Sequence, residues 1–395
     1  MRKSALCWFG LVVVALTALG LIILCSASQP NSMRLNHGAA FAFFLKQILY
    51  VVIGVAVAAV VACIDYHVWK DRKIITWLFY GIVFVLLLVV LKWFGGRAVN
   101  GSYRWIRLGP VNLQPSELAK LAIVIVTAVW VDSISWKIDR FLLGAGVPFL
   151  LIGAYAGPIL METDLGATMV MGAAGGLVMF VAGVKLIHLL VPFVLGGAGF
   201  LGVMFTDSNR MRRLAAWLPA SVCDLLGVTP AVETNKISEM NAAAYQSYNS
   251  LVAIKRGGLA GVGLGQSMQK QLYLPEAHTD FIFAVGAEEL GIGFSVGVIL
   301  LFFAFFALTV YIANRATDRL GRYLALGMGF IVFFQAMFNL GVVCEAVPTK
   351  GMALPFFSYG GTNMLSAFFA VGVILSVGIH SYRDRKRVIR HNVLL

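Results

Sequence analysis

The chain has 395 residues, of which 60% are apolar and 12% are charged, against about 25% charged residues in an ordinary soluble domain. This composition excludes a water-soluble globular protein, because one core cannot hide so much apolar surface, and lipid is the natural environment for it. The formal net charge is +13, but the basic residues fall mostly in short connections between long apolar runs, which indicates topology signals rather than a nucleic-acid surface.

Ten apolar segments are long enough to cross a bilayer as helices, since a hydrocarbon core about 30 Å thick requires roughly 20 residues. They lie at 5–26, 41–63, 74–92, 116–132, 141–160, 166–182, 186–205, 281–313, 321–344 and 362–380. The eighth is too long for one perpendicular span, so either Gly291-Ile-Gly293 breaks it or its start lies outside the membrane. The sequence therefore predicts an all-α polytopic membrane protein with about ten transmembrane helices, forming a single domain over residues 1–395.

The Lys and Arg residues in alternate loops predict the orientation of these helices. With the N-terminus in the cytoplasm, the inside loops carry sixteen basic residues and the short outside loops carry five. Both termini are therefore expected to be cytoplasmic, and the long loop 206–280 between helices 7 and 8 is expected to be extracytoplasmic. The five Cys residues form no CxxC motif and no Cys/His cluster, which gives no support to a metal–thiolate or redox centre.

Basic residues are normally scarce in outside loops, yet Arg97, Arg104 and Arg107 share one short outside loop. Further basic residues in the long loop and the last loop lie on the same predicted side, among them Arg213, Lys270 and Lys350. Guanidinium groups match phosphate oxygens well. The set predicts a phosphate-bearing ligand outside the membrane, whereas for any single residue the alternative is an ordinary phospholipid headgroup.

The run GPVNLQPSELAKL at 109–121 opens the fourth helix. Ser116 is the predicted N-cap, and Pro115 prevents the helix from extending backward. Glu117 and Lys120 share a helix face at i,i+3 spacing, so they are either an ion pair that holds helices together or the wall of a polar cavity.

Two acidic residues, Glu162 and Asp164, occupy the very short loop between helices 5 and 6. They are candidates to cap the sixth helix, and the alternative is that they hold a cation beside a phosphate.

The long loop contains an amphipathic stretch at 236–256, followed by GGLAGVGLG at 257–265. No strand precedes these glycines, so they are not a dinucleotide-binding fingerprint. We expect them to let the backbone pass close to another surface.

The stretch YLPEAHTDFIFAVGAEELG at 273–291 gathers Glu276, His278 and Asp280 just before a membrane helix. One interpretation is that Asp280 caps the helix and complements its dipole. The alternative is that it acts as a general base, because a carboxylate that lies beside apolar residues and faces a basic surface is partly desolvated. His278 is a second candidate base, or a hydrogen-bonded structural residue. Glu288 and Glu289 are costly at membrane depth and are expected to point into the bundle or its cavity.

The last loop, NLGVVCEAVPTKGMALPFFSYGG at 339–361, is rich in Pro and Gly, which predicts a rigid, non-helical outside loop. Lys350 in this loop either contacts the same anion or lies in solvent, and Ser358 is a further candidate for substrate binding.

Three of these runs resemble the SEDS family of membrane glycosyltransferases, which polymerise peptidoglycan. They are LGPVNLQPSELAKLA, GGLAGVGLGQSMQKQLYLPEAHTDFIFAVGAEELGIG and VPTKGMALPFFSYGG, spread over residues 108–361. PEAHTDF and PTKG are similar to the FtsW branch, which acts in division, rather than to the RodA branch, which acts in elongation. The chain departs from the family pattern at Glu162-Thr163, where Gln-Pro is usual, at Glu345, where Gly is common, and at Thr362-Asn363, which replace a Ser pair.

The resemblance implies that lipid II units are joined into glycan strands at the outer face of the cytoplasmic membrane, with release of undecaprenyl diphosphate. It points to Asp280 as the catalytic residue, which takes a proton from the acceptor sugar while basic groups neutralise the departing lipid diphosphate. Substrate contacts are expected from Arg97, Arg104, Arg107, Glu117, Lys120, Arg213, Lys270, Glu276, His278, Lys350 and Ser358. A divalent cation, Mg²⁺ or Mn²⁺, is expected with unknown ligands.

The same resemblance implies partners and a location. A class B penicillin-binding protein, which is a transpeptidase, and other membrane proteins of the divisome are the expected partners, at the division septum. Two other functions remain open at this point: a lipid II flippase, and a scaffold without enzymatic activity that recruits the transpeptidase.

Overall fold

The computed structural model describes residues 3–35, 38–91, 104–108, 111–162, 164–205, 242–348 and 350–394. These ranges are mainly helical, as the apolar composition predicts. The helices are α1 (Lys3–Ala27), α2 (Gln29–Leu35), α3 (Ala42–Cys63), α4 (Val68–Asp71), α5 (Lys73–Val90), α6 (Pro115–Ser133), α7 (Val147–Met161), α8 (Leu165–Ala182), α9 (Leu186–Phe205), α10 (Ala242–Gly257), α11 (Ile282–Asn314), α12 (Arg319–Val343) and α13 (Gly361–Leu394). Two short strands, β1 (Ile106–Leu108) and β2 (Val111–Leu113), form a hairpin before α6.

All ten predicted membrane segments are helical over most of their length. Within the described ranges, eight helices are long and apolar enough to cross a membrane. The two other segments correspond to α6 and α9, which have 19 and 20 residues. The chain is therefore a multi-pass, helical membrane protein.

Helix α11 is interrupted at Gly291, as one of the two sequence interpretations predicted. Its 33 residues would extend about 50 Å as one helix, which exceeds a hydrocarbon core of about 30 Å. Gly291 has φ 72° and ψ −163°, a conformation that only glycine adopts readily, and it separates a short segment, 282–290, from the membrane-length segment 292–314.

The centre of the bundle is formed by α6, α12 and α13. Most residues of α6 are buried around the whole helix, which is typical of a helix enclosed by other helices. Helix α6 packs on α5, α8 and α12, while α13 packs along α3 and α11 packs on α12 and α1. The apolar side chains of these helices form one continuous cluster.

The start of α6 differs from the sequence prediction. Gln114 is the N-cap residue, Pro115 is at the first helical position, and Ser116 lies inside the first turn, so the assignment of Ser116 as the N-cap was wrong. Proline takes that first position because its fixed φ suits the helix and its missing N–H costs no bond there. The Thr362 hydroxyl accepts from the Gln114 N–H at 3.0 Å and donates to the Asn112 carbonyl at 2.9 Å, which joins the hairpin to α13.

The glycine-rich segment 257–265 passes close to α11, as expected from the sequence. A Cβ added to Gly257 would lie 2.0 Å from the Ala287 carbonyl oxygen, and one added to Gly261 would lie 2.2 Å from that of Glu289. Between α12 and α13 the chain is non-helical where the structure describes it, as predicted for the last loop, but the predicted loop 339–361 starts too early because residues 339–343 belong to α12. Of the five cysteines, Cys223 lies outside the described residues and the other four are free thiols.

Candidate active site

Asp280 lies in a tight turn, 276–281, immediately before α11. The Thr279 and Phe281 N–H groups both donate to the Glu276 carbonyl oxygen, at 3.1 and 3.2 Å. Phe281 is the N-cap residue of α11 and the helix has no side-chain cap, so the carboxylate of Asp280 does not serve as the cap. Its side chain remains partly accessible beside three buried residues, Phe281, Ile282 and Phe283.

Residues 278–280 are held against the last loop by hydrogen bonds from that loop and from α12. The Tyr359 N–H donates to the His278 carbonyl at 3.0 Å, and the Ser358 hydroxyl donates to the Thr279 carbonyl at 2.6 Å. The side-chain amide of Asn339 donates to the carbonyls of Asp280 and Met352, at 2.7 and 2.6 Å. Ser358, a predicted substrate contact, therefore orients the Asp280 turn from a fully buried position.

Asn339 and Gly351 are part of this site, and neither was identified from the sequence. Asn339 is a buried polar residue in an apolar helix, a signal that can mark a functional position in a membrane protein. Gly351 packs so closely that an added Cβ would lie 2.4 Å from Oδ2 of Asp280. The absence of a side chain at residue 351 thus creates the space that the carboxylate occupies.

The charges around Asp280 have opposite effects on its acidity. Burial and the negative charge of Glu276 raise the pKa of Asp280 to about 7, against the smaller opposing effects of Arg104 and Lys350. A carboxyl group with a pKa near the working pH can both accept and return a proton. Arg104, Glu276 and Lys350 were predicted at this site, and the structure brings all three within electrostatic range of Asp280.

Asp164 and Glu162 form the acidic neighbour of this site. Oδ1 of Asp164 accepts from the Ala167 N–H at 3.2 Å, so Asp164 caps α8 as predicted. Burial alone would raise the pKa of Asp164, but the positive charges of Arg104 and Lys350 hold it below its usual value. Burial and the charge of Asp164 raise the pKa of Glu162 to about 9, which keeps Glu162 protonated at neutral pH.

His278 packs in an aromatic environment beside the Asp280 turn. Its ring stacks on Phe43, with the centroids 5.3 Å apart and an interplanar angle of 7°, and Nδ1 lies 3.2 Å from Nδ2 of Asn31. Burial lowers the pKa of His278, although the negative charge of Glu276 opposes this effect. The contacts of the imidazole connect the Asp280 turn to α2 and α3.

Glu117 and Lys120 form a buried ion pair, with Oε1 and Nζ 2.8 Å apart. Nζ of Lys120 also donates to Oε1 of Gln335 at 2.6 Å, and the Ser366 hydroxyl donates to Oε2 of Glu117 at 3.1 Å. These bonds connect α6 to α12 and α13, which agrees with the interpretation that the pair holds helices together.

Of the remaining predicted substrate contacts, the structure describes the side chain of Lys270, which lies outside the Asp280 turn. Lys270 is buried in a separate cluster with Ser26 and Glu289. Arg97 and Arg213 lie outside the described residues. The backbone of Arg107 pairs with Asn112 in the β1–β2 hairpin.

The described acidic groups at this site do not form a preformed cation cage. In the part of the chain that the structure describes, no group of three or more His, Cys, Asp or Glu residues is arranged to hold a metal ion. A metal centre built from protein ligands alone needs several oxygen or nitrogen ligands around one point, and the described residues do not supply such a set.

The fold and this site define a class: a polytopic membrane protein with a partly buried carboxylate, Asp280, near the cations Arg104 and Lys350. The chain belongs to the FtsW/RodA/SpoVE family, described as a cell cycle protein family, whose model matches residues 6–383. It is 36% identical over 370 residues to the probable peptidoglycan glycosyltransferase FtsW of Geobacter sp. (strain M18), covering 93% of this chain and 95% of the relative. It is 37% identical over 376 residues to the protein of the same description from Coxiella burnetii, covering 94% and 95%.

Two solved structures share this architecture. One comes from work titled "Structural coordination of polymerization and crosslinking by a peptidoglycan synthase complex", with a TM-score of 0.70 and 25% identity, covering 95% of this chain and 98% of that one. The other is the rod shape determining protein RodA of Thermus thermophilus, with a TM-score of 0.65, 24% identity and coverage of 95% and 96%. The second likeness shows that the helical membrane fold is shared.

Proposed function

We propose that this protein is a peptidoglycan glycosyltransferase that joins lipid II units into glycan strands at the outer face of the cytoplasmic membrane. The observation that carries this proposal is the site itself, in which Asp280, with a pKa of about 7, lies in the field of Arg104 and Lys350. The relatives that share over a third of their residues with this chain are described as transferases, which favours this function over a transporter or a scaffold.

In the proposed reaction, Asp280 accepts the proton of the acceptor sugar hydroxyl as that oxygen attacks the anomeric carbon of the donor. The new bond joins the oxygen to the anomeric carbon, and the bond from that carbon to the lipid diphosphate breaks. Undecaprenyl diphosphate leaves with the bonding electrons. Arg104 and Lys350 neutralise the charge that grows on it, which stabilises the transition state more than the ground state.

We also propose that a divalent cation binds together with the substrate. Magnesium commonly binds through phosphate oxygens and water with few protein ligands, so a diphosphate substrate can bring the ion without a protein cage. Bound there, it would supply additional charge neutralisation. We expect chelation with EDTA to lower the polymerisation rate and added Mg²⁺ or Mn²⁺ to restore it, measured as glycan product from lipid II. A rate unaffected by EDTA would contradict this part of the proposal.

The proposed cellular role is septal wall synthesis with a class B penicillin-binding protein and other divisome membrane proteins. It is supported by the FtsW description of the relatives and by the match to a structure from a peptidoglycan synthase complex. Co-purification with the transpeptidase and fluorescence localisation at the septum test this role. An even distribution over the cell envelope would contradict it.

The decisive experiment compares the purified parent with Asp280→Asn in polymerisation of lipid II. Asparagine has the size of aspartate but does not act as the base, so we expect loss of at least about 100-fold in rate, the contribution typical of general base catalysis. Asp139→Asn is the matched control, because Asp139 is exposed and pairs with Lys185 on the predicted cytoplasmic side. If the D280N variant polymerises as fast as the parent, the catalytic assignment is wrong.

The same variant separates the enzyme from a scaffold in cells. A scaffold needs only to fold and to bind its partner, so D280N would then still support division. Loss of division with partner binding intact is the result expected of the enzyme.

A further inference from the structure

A second cluster of buried charges lies away from the Asp280 turn, at the interruption of α11. Glu288 and Glu289 are fully buried, and the Lys270 side chain is 3% exposed. Oε1 of Glu289 accepts from Nζ of Lys270 at 2.9 Å and from the Ser26 hydroxyl at 2.6 Å. Nζ of Lys270 also donates to Oγ of Ser26 and to the Gly265 carbonyl, both at 2.7 Å. We refer to Ser26, Lys270 and Glu289 as the ionic clamp.

Glu288 holds the neighbouring turn of the same segment. Its carboxylate accepts from the Ser267 hydroxyl and from the N–H groups of Met268 and Gln269, the latter two at 3.1 and 3.3 Å. Arg256, at the end of α10, donates to it at 3.2 Å. The two adjacent glutamates thus hold the segment 265–270, α1 and α10 at one point of α11.

Because of the interruption at Gly291, the contacts of Glu288 and Glu289 hold the end of a short, separate helix. The segment 282–290 has nine residues and does not continue as a helix into the membrane-length part of α11. The backbone carbonyls that the break leaves without helical partners accept hydrogen bonds from the preceding segment. The Val262 N–H donates to the Glu288 carbonyl and the Gly263 N–H donates to the Glu289 carbonyl, both at 3.0 Å. Asp280 lies at one end of this short helix, and the ionic clamp holds its other end.

The energetics favour a geometric role for these charges. Removing two charges from water is expensive, and a buried ion pair often stabilises a protein no better than apolar side chains of the same size. What an ion pair with three further hydrogen bonds provides is one defined arrangement of the elements that it joins. In this chain those elements are α1, the segment 265–270 and the short helix that carries Asp280.

We propose that Lys270 and Glu289 are positioning residues for catalysis, which fix the helical segment 282–290 so that Asp280 lies correctly against Arg104 and Lys350. The inference rests on the proposed function. It assigns Lys270 a role through Asp280 and not through the substrate, which differs from the contact expected from the sequence. It also connects segment 257–270, through the short helix 282–290, to the turn that carries Asp280.

The test uses the full-length protein and separates geometry from stability. In Glu289→Gln, the buried Lys270 loses its counter-charge, so we expect a lower unfolding temperature and a lower rate. The double variant K270M/E289M replaces both charges with flexible apolar side chains, so the unfolding temperature is expected to recover to the parental value. Its kcat for lipid II polymerisation is expected to stay on the order of tenfold below the parent, with KM within about twofold.

A second measurement reports on Asp280 without using activity. The titration of its carboxylate can be followed by infrared difference spectroscopy against D280N, and we expect the midpoint in K270M/E289M to move away from that of the parent. The matched control is K70M/D132M, because Lys70 and Asp132 form another ion pair with a buried carboxylate, 2.8 Å apart, at the predicted cytoplasmic side. This control is expected to retain the parental kcat and midpoint.

The outcomes distinguish the two proposals. The positioning role is overturned if the K270M/E289M variant folds and polymerises lipid II at the parental kcat. It is also overturned if the folded variant keeps the parental titration midpoint of Asp280. If the parent itself does not polymerise lipid II, the proposed function fails, and the infrared midpoint still decides whether the ionic clamp positions Asp280.

Discussion

The close approach of Gly351 to Asp280 gives a sharp test of the site. In Gly351→Ala, the new methyl group would lie 2.4 Å from Oδ2 of Asp280, whereas ordinary contacts begin at 3.4 Å. The carboxylate must therefore retreat by about 1 Å. A misplacement of this size can lower a rate by about 100-fold, which corresponds to about 2.7 kcal/mol of transition-state stabilisation.

The stability of the G351A variant is expected to change little, because only the end of one side chain has to move. Gly360→Ala is the matched control: it lies in the same loop, and its added methyl group would have its nearest neighbour at 3.8 Å, the Cβ of Asn363. The assay is lipid II polymerisation by both variants, with thermal unfolding measured in parallel. A G351A variant that keeps the parental kcat/KM, or one that loses activity only because it unfolds, would refute the reasoning.

Three further predictions concern the charges. Because Asp280 must be ionised to act as a base and its pKa is about 7, kcat/KM is expected to rise with pH through an apparent pKa near 7; a profile flat from pH 5 to 8 would argue against this base. Glu162 has a pKa of about 9 in the folded protein against 4.5 ordinarily, so the folded state retains a proton that the unfolded state releases, and stability contributed by this group is lost as pH rises from about 4.5 to 9. Glu162→Gln, which mimics the neutral acid, is therefore expected to unfold at a higher temperature than the parent at pH 9 and at a similar temperature at pH 4; an unchanged difference at the two pH values would contradict the assignment. Glu117→Gln leaves the buried Lys120 without its counter-charge and is expected to destabilise the fold by about 3–5 kcal/mol, whereas E117M/K120M recovers most of this loss; equal unfolding free energies for the parent and E117Q would show that the pair is not a structural link.

Features that depend on neighbours in the chain were predictable from the sequence. The apolar runs gave the ten helical segments, because the thickness of the bilayer fixes their length. The pairing of Glu117 with Lys120 and the cap provided by Asp164 follow from spacings of three residues. Ser116 shows the limit of such local rules, since Pro115 took the first helical position and moved the cap to Gln114.

Features that depend on distant contacts were not predictable in the same way. Lys270 looked like an anion ligand because it is basic and lies in an outside loop. In the structure its charge is paired with that of Glu289, and its Nζ also donates to Ser26, which is 244 positions away. Asn339 and Gly351 carry no charge that would mark them. Their importance comes from the carbonyl and the carboxylate of Asp280, which only the tertiary fold brings to them.

The interruption at Gly291 also has a consequence for biosynthesis. The backbone groups that complete its hydrogen bonds, at residues 258, 262 and 263, all precede Gly291 in the chain. They are therefore synthesised before the interruption itself. The partners of its open backbone groups, the Val262 and Gly263 N–H donors and the Gly258 carbonyl, thus already exist when residues 288–292 are made, and this pairing does not have to wait for any later part of the chain.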